Sequence, residues 1–348
     1  MSRRMNTAIA AGLITIAAAT VPAAAATVSA PVSDPVSAPV SAPPMSGMNM
    51  ADMGGPFKSD FVSIRSVPAS VVVPRVTRTG SRGTFAENCG RNLNGHHNPD
   101  NYITSPGIMD GAQHTHDYVG NLSTNGDSTD ASLAAAGTTC TDGDKSTFFW
   151  PVLRLRHTTA SDANAPGGGD DGNIGKIIEP TTVTLQFRGN AAAHVVAAPR
   201  FLRTTTGDAH AVTNGPVNAR ADWTCTGFGN RISAKYPLCP PGHRVERVLD
   251  FASCWDGVSL DSANHRTHVL FPSPTTGACP AGTEAIPQLR ITLTYAVPTG
   301  RSFAVDSFPD QYHNPSTDHS DFENLMSTAL MQHAVNCINA GRRCTGRV

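Results

Sequence analysis

His114 and His116 flank a single residue, and Asp117 follows at once, in the stretch QHTHDYVGN at residues 113–121. Imidazole nitrogens ligate zinc and copper, and a histidine near its ordinary pKa also serves as a general base. In an extended segment residues i and i+2 share a face, so His114 and His116 can present two rings to one ion or one substrate while Asp117 turns away. His319 and Asp321 repeat that spacing in YHNPSTDHSDF at 312–322. His265 and His268, in DSANHRTHVLFP at 261–272, are three apart and would meet only on a helical turn. His96 and His97 in NGHHNPDNY read as structural, and the isolated His157, His194, His210 and His333 read as surface or satisfied core. Two chemistries remain open: a histidine-rich site for zinc, copper or another divalent metal, or metal-free acid–base catalysis with a carboxylate orienting the base.

These side chains must be positioned by short strands. FVSIRSV (61–67), TFFWPVLRLRH (147–157), TTVTLQFRG (181–189), HVVAAPRFLR (194–203), RVERVLDF (244–251), THVLFP (267–272) and LRITLTYAV (289–297) are alternating, β-branched or aromatic. Clusters of Gly, Pro, Asn and Asp separate them, as in the surface loop NAPGGGDDGN. The best helical pattern covers 320–340, with Phe322, Leu325, Met326 and Leu330 at helical spacing, Asp321 and Glu323 in a first turn, and Gly341 at the end. The pattern predicts an all-β fold, a β-sandwich or jelly roll with long loops, disulfides and one C-terminal helix.

Residues 1–26 read as an export signal: Arg3 and Arg4 precede a short apolar run from Ala8 to Thr20, and VPAAAA offers small residues for cleavage near Ala26. The run is too short to span a bilayer, so no stable membrane insertion is expected. Residues 27–56, rich in Pro, Ser, Ala and Met, form a linker that cannot build a core. Met45, Met48, Met50 and Met53 are soft ligands suited to Cu(I), although a flexible tail is the simpler reading. Residues 57–348 then make the secreted domain. Its eight cysteines suit an oxidising compartment and read as disulfides. Sequence separation favours 225–239, 254–279 and 337–344 as local staples and leaves 89–140 to close a longer loop. A net charge of −1 and the absence of a basic tract argue against a nucleic-acid partner. No GxSxG elbow, P-loop, HExxH or helix-opening GxGxxG occurs.

ITSPGIMDGAQHTHDYVGN at 103–121 resembles the hallmark of the secreted DUF1996 family, named for its unknown function. Further similar motifs follow in order: FFWPVLRLRH at 148–157, FLRTTTGD at 201–208, FASCWDGVSLDSANHRTHVLFP at 251–272 and HSDFENLM at 319–326. The resemblance covers nearly all of 85–330. It singles out His114, His116, Asp117, Asp256, Asp261, His265, His268, His319 and Asp321, polar residues on separate segments that could converge on one pocket. Two departures stand out. Asn101-Tyr102 replaces an Asp-Pro that family members often carry, and His319-Ser320-Asp321 replaces a His-Gly-Asp pattern. Some fungal members carry an added carbohydrate-binding module, which implies an extracellular polysaccharide or cell-wall target.

Three functions compete. The first is a secreted hydrolase or lyase acting on extracellular polysaccharide. In it His116 or His268 is the base, Asp321 the charge partner, and His114, His116 and His319 the metal ligands or orienters. Asp117, Asp256, Asp261 and His265 would face substrate, and Trp255 would offer a flat surface to a sugar ring. The second is a non-catalytic protein that grips glycan or metal. The third leaves the histidines as hydrogen-bonding struts in a disulfide-stapled scaffold. The export reading is checked directly: N-terminal sequencing of the protein recovered from culture medium is expected to begin close to Thr27, whereas an intact Met1 would refute it.

Overall fold

The run TVTLQFR shows how this chain makes sheet. In the computed structural model, which describes residues 54–346, it forms the strand Thr182–Arg188. Leu185 and Phe187 turn inward while Thr182 and Thr184 face solvent, so one apolar face is buried and the other stays wet. This strand sits inside a six-stranded sheet whose order is Asp222–Cys225, Val245–Asp250, Gln288–Tyr295, Thr182–Arg188, Thr84–Glu87 and Arg343–Thr345. All pairings are antiparallel except the last, where the C-terminal strand runs parallel to Thr84–Glu87.

A second, five-stranded sheet runs in the order His97–Asn98, His116–Gly120, Thr147–Pro151, His319–Glu323 and Arg203–Gly207, antiparallel throughout. Its three central strands are buried on both faces. One face sends Val119, Phe148, Trp150 and Phe322 into a core shared with Phe85, Leu185, Phe187, Leu249 and Ile291 of the six-stranded sheet. Phe322 stacks on Phe148 at 5.0 Å and lies 6.1 Å from Phe187 across the layers. The opposite face carries His116, Tyr118, Phe149, His319, Asp321 and Glu323. A smaller cluster of Tyr102, Ile103, Leu133 and Leu325 covers part of it. The expected all-β fold is therefore what forms, with the two largest of five sheets among the described residues sharing one main core.

All four disulfides pair as sequence separation favoured: Cys89–Cys140, Cys225–Cys239, Cys254–Cys279 and Cys337–Cys344. The export signal, the methionines at 45–53 and residues 27–53 of the linker lie outside the described residues. No helix among the described residues is long and apolar enough to cross a membrane.

Two local expectations are corrected. The helix predicted over 320–340 spans only Thr328–Asn339, because His319–Glu323 is a strand whose backbone pairs with both neighbours. Asp321 and Glu323 are thus sheet residues, and Ser327 caps the helix by accepting from the Leu330 amide at 3.2 Å. Gly341, at φ 68°, does end it: the Gly341 amide bonds the Ile338 carbonyl and the Arg342 amide bonds that of Cys337. Similarly, HVVAAPRFLR is not extended ladder. Asn339 holds Val195 through both its amide and carbonyl, and pairing begins only at Arg203.

One buried ion pair ties the layers. Arg247, on the six-stranded sheet, is fully enclosed and grips the equally buried Asp318 with two hydrogen bonds, Nε to Oδ2 at 3.0 Å and Nη2 to Oδ1. It also donates to the Pro151 carbonyl at 2.8 Å and the Tyr295 hydroxyl at 3.1 Å. Removing one partner strands a charge in the core, which typically costs about 3–5 kcal/mol. Asp318→Ala is expected to destabilise the fold by about that amount in urea titrations, and a loss under about 1 kcal/mol would contradict this role.

Candidate metal centre

The register of the five-stranded sheet brings three distant histidines together. His116 lies opposite Pro151, and Asp321 lies opposite Phe149 on the other side of the same strand, which sets His319 level with Pro151. His116 and His319 thus occupy one row on one face. His114 arrives from the preceding turn, where Gln113 takes a left-handed φ of 52°. The three Nε2 atoms converge at 3.1 Å (His114 to His116), 3.2 Å (His114 to His319) and 3.5 Å (His116 to His319). Two nitrogens each about 2.0–2.1 Å from a tetrahedral zinc ion stand about 3.3–3.4 Å apart, so the triangle already has the edges of such a site.

The other ring nitrogens define what the triangle presents. His319 donates from Nδ1 to the Thr317 carbonyl at 2.8 Å, which leaves Nε2 as a lone pair. The Nδ1 atoms of His114 and His116 are buried without a hydrogen-bond partner among the described residues, and the Ala112 and Asp100 carbonyls lie near the two rings. With each ring's proton on that outer side, three lone pairs point at one spot. The rings are 2%, 0% and 4% exposed for His114, His116 and His319, so water cannot relieve the repulsion freely. Burial first, and then the neighbouring rings, push His114 and His116 well below the ordinary imidazole pKa. Burial also lowers His319, against the opposing pull of Asp321. Neutral, convergent and desolvated imidazoles are what a transition-metal ion requires of its ligands.

Phe308 meets the His114 ring edge-on at 4.9 Å and Phe149 meets His116 at 5.5 Å, forming apolar walls. His210, read from sequence as an isolated residue, stacks on Phe308 at 4.1 Å and lies near enough for its charge to act on His114. Nothing in the sequence signalled that neighbourhood, since Phe308 and His210 belong to different loops.

The remaining residues singled out by sequence fall into three places. Asp321 shares the face of the triad but spends its oxygens on Asn101 (2.9 Å) and the Thr205 hydroxyl. Asn101, the departure from the family's Asp, therefore supplies an amide donor to a buried carboxylate, where an Asp would set two carboxylates together. Asp117 points to the opposite face, as alternation predicted, and is fully buried. There it accepts from Asn92 (3.0 Å), Trp150 (3.3 Å) and His97 (2.6 Å), while His97 also reaches Glu179 at 3.1 Å. His97, Asp117 and Glu179 have the composition of a second cation cluster. In it the His97 proton already bridges the two carboxylates.

Asp256, Asp261, His265 and His268 close on their own loop. Asp256 accepts the amides of Val258 and Ser259, and Asp261 pairs with His265 at 2.9 Å. His268 is held by the Ser262 hydroxyl at 2.9 Å and the Arg203 carbonyl at 2.7 Å, so both its nitrogens are engaged. Trp255 donates to the Ser259 carbonyl and packs against Leu202, Val269 and Ile286, the packed alternative to a sugar platform. None of the hydrogen bonds of these five residues reaches the triad. The loop instead braces the strand Arg203–Gly207, through Arg266 and the Thr205 carbonyl at 3.3 Å.

Fold and site define an all-β, disulfide-stapled domain built around a buried three-histidine cluster that could bind a metal. The chain belongs to the family described as "Domain of unknown function (DUF1996)", which matches it over residues 102–333. Comparison with curated proteins and with solved structures finds no match. The disulfides fit an extracellular or otherwise oxidising compartment.

The His97 ion pair has a pH consequence. Burial opposes a charge on His97, but Asp117 and Glu179 outweigh it and hold its pKa up to about 10. An unfolded histidine titrates near about 6.5. Its folded pKa is raised, so its contribution to stability is complete below that value and is lost as pH rises toward 10. Urea titrations from pH 6 to 10 are expected to show a decline in stability that His97→Gln flattens. Equal slopes in the two proteins would exclude the charged pair.

Proposed function

We propose that this domain is a secreted metalloprotein in which His114, His116 and His319 hold one zinc or copper ion. The convergence of three buried Nε2 lone pairs at tetrahedral spacing carries the reading. Three protein nitrogens would leave a further coordination position, the pattern of catalytic and not of closed structural zinc sites. When bound, such an ion would supply an activated water or polarise a substrate oxygen at neutral pH. The chain's own residues prepare the site. Thr317 orients His319, Phe149 and Phe308 exclude water, and Asp321 sets a negative charge behind His319. His210, stacked on the Phe308 ring that walls His114, is a further imidazole that could move a proton.

As a working substrate class we take extracellular polysaccharide, cleaved by hydrolysis or elimination, on the family association alone. His268 is not retained as the base, because both of its ring nitrogens are committed to the scaffold. A non-catalytic role in gripping metal is the second reading. The near-complete burial of the three rings favours it, since a polymer must still approach the ion.

Elemental mass spectrometry of the purified, chelator-free protein is expected to find about one zinc or copper per chain. His114→Ala/His116→Ala should lose it while its far-UV circular dichroism is retained. Metal-free parent protein after reloading with either ion would sink the proposal. Depolymerisation of cell-wall polysaccharides by the loaded parent but not by the variant would separate the catalytic from the gripping role.

A further inference from the structure

A second cluster of ionisable groups lies at the far edge of the six-stranded sheet, where the first disulfide joins it. Glu87 ends the strand Thr84–Glu87, and Asp142 and Asp144 sit in the turn that follows Cys140, in the stretch TDGDKS. The Cys89–Cys140 bond and the Thr141 amide on the Asn88 carbonyl (2.9 Å) clamp that turn against the strand. Gly143, at φ 80°, makes the reversal that brings the two aspartates to the same side.

The carboxylates have too few partners. Glu87 is 6% exposed and Asp144 1%, yet among the described residues both oxygens of Glu87 and the Oδ2 atoms of Asp142 and Asp144 are buried without any hydrogen bond. Their other oxygens are used inside the turn: Asp144 Oδ1 accepts from the Ser146 amide and hydroxyl at 3.0 and 2.8 Å, and Asp142 Oδ1 accepts from the Asp144 amide at 3.3 Å. The Glu87 carboxyl interacts with both aspartates. Four bare oxygens on three mutually repelling acids, nearly dehydrated, are costly unless a positive charge joins them. An open cleft of about 1050 Å³, lined by Glu87, Asp142, Thr184 and Thr345 among others, gives an ion a way in.

We propose that Glu87, Asp142 and Asp144 form a site for a hard divalent cation of the calcium class. The donors are all oxygen, with no nitrogen or sulfur to favour a transition metal. Glu87 offers both oxygens and each aspartate one, which leaves room for water or main-chain oxygens to complete the six to eight ligands that calcium takes. The ion would hold three segments together: the Glu87 strand, the 140–146 turn, and the end of the C-terminal strand, where the backbone of the following Gly346 lies against the Asp142 carboxylate. Burial and the neighbouring acids push Glu87 well up and Asp144 to about 6.

The test uses the full secreted chain, stripped with chelator and dialysed, at pH 7.5. Calcium chloride alone is the probe, in isothermal titration and in thermal unfolding, with magnesium chloride as comparison. A hundredfold excess over Kd is expected to raise Tm by about 5 °C. Glu87→Gln and Asp144→Asn should each abolish the shift. His114→Ala/His116→Ala should keep it, which separates this site from the histidine centre. A Tm and a titration that do not respond to calcium in the parent chain overturn the proposal.

Discussion

The histidine centre depends on two buried arginine–aspartate pairs. Arg247 reaches from the six-stranded sheet to Asp318, the residue immediately before His319, and to the carbonyl of Pro151, which lies level with His116 and His319. Arg154, also fully enclosed, binds Asp306 through Nε and Nη2 at 2.6 and 2.9 Å. Asp306 accepts from the Thr115 amide at 3.4 Å, and Arg154 meets the Thr115 hydroxyl at the same distance. Thr115 is the residue between His114 and His116. Each half of the triangle is therefore anchored by its own charged pair. Such pairs add little net stability against well-packed apolar alternatives, but they define position sharply because breaking one is costly. A site whose ligand nitrogens must agree within a few tenths of an ångström needs that kind of support.

The strand His116–Gly120 serves two purposes through simple alternation. Its even-numbered residues His116 and Tyr118 face the triad, while Asp117 faces away and is neutralised by His97. One side collects lone pairs and repels protons. The other collects negative charge and keeps a proton on its histidine. Adjacent residues of one motif thus acquire opposite electrostatic roles, with the sheet between them as the partition. The acidic turn at 142–144 follows a third arrangement, in which acids crowd together with buried oxygens that make no hydrogen bond among the described residues.

The loop 251–272 shows how a rich motif can be structural. Its aspartates and histidines bond to near neighbours: Asp256 to residues two and three ahead, Asp261 to His265 four ahead, His268 back to Ser262. These contacts build a rigid brace behind Arg203–Gly207, the edge strand that hydrogen-bonds to His319–Glu323. A residue can thus belong to a shared pattern because it supports the strand beside a site, and not because it touches what the site binds.

What the sequence determined by itself was local. β-Branched and aromatic runs marked strands such as Thr147–Pro151, Thr182–Arg188, Val245–Asp250 and Gln288–Tyr295, short separations paired the cysteines, and the i, i+2 spacing put His114 and His116 together with Asp117 turned away. The resemblance to DUF1996 added His319 to that pair. The rest was decided by tertiary contacts whose partners lie far apart in the chain. Arg247 and Asp318 are 71 residues apart, and His114 and His319 are 205 apart, so no local period could announce either meeting. The stretch 319–326 carries a helix-like spacing of apolar residues, yet 319–323 became strand because backbone pairing on both sides satisfied more hydrogen bonds than an exposed helical turn could. Only that pairing turned His319 toward the other two rings and made three scattered histidines into one site.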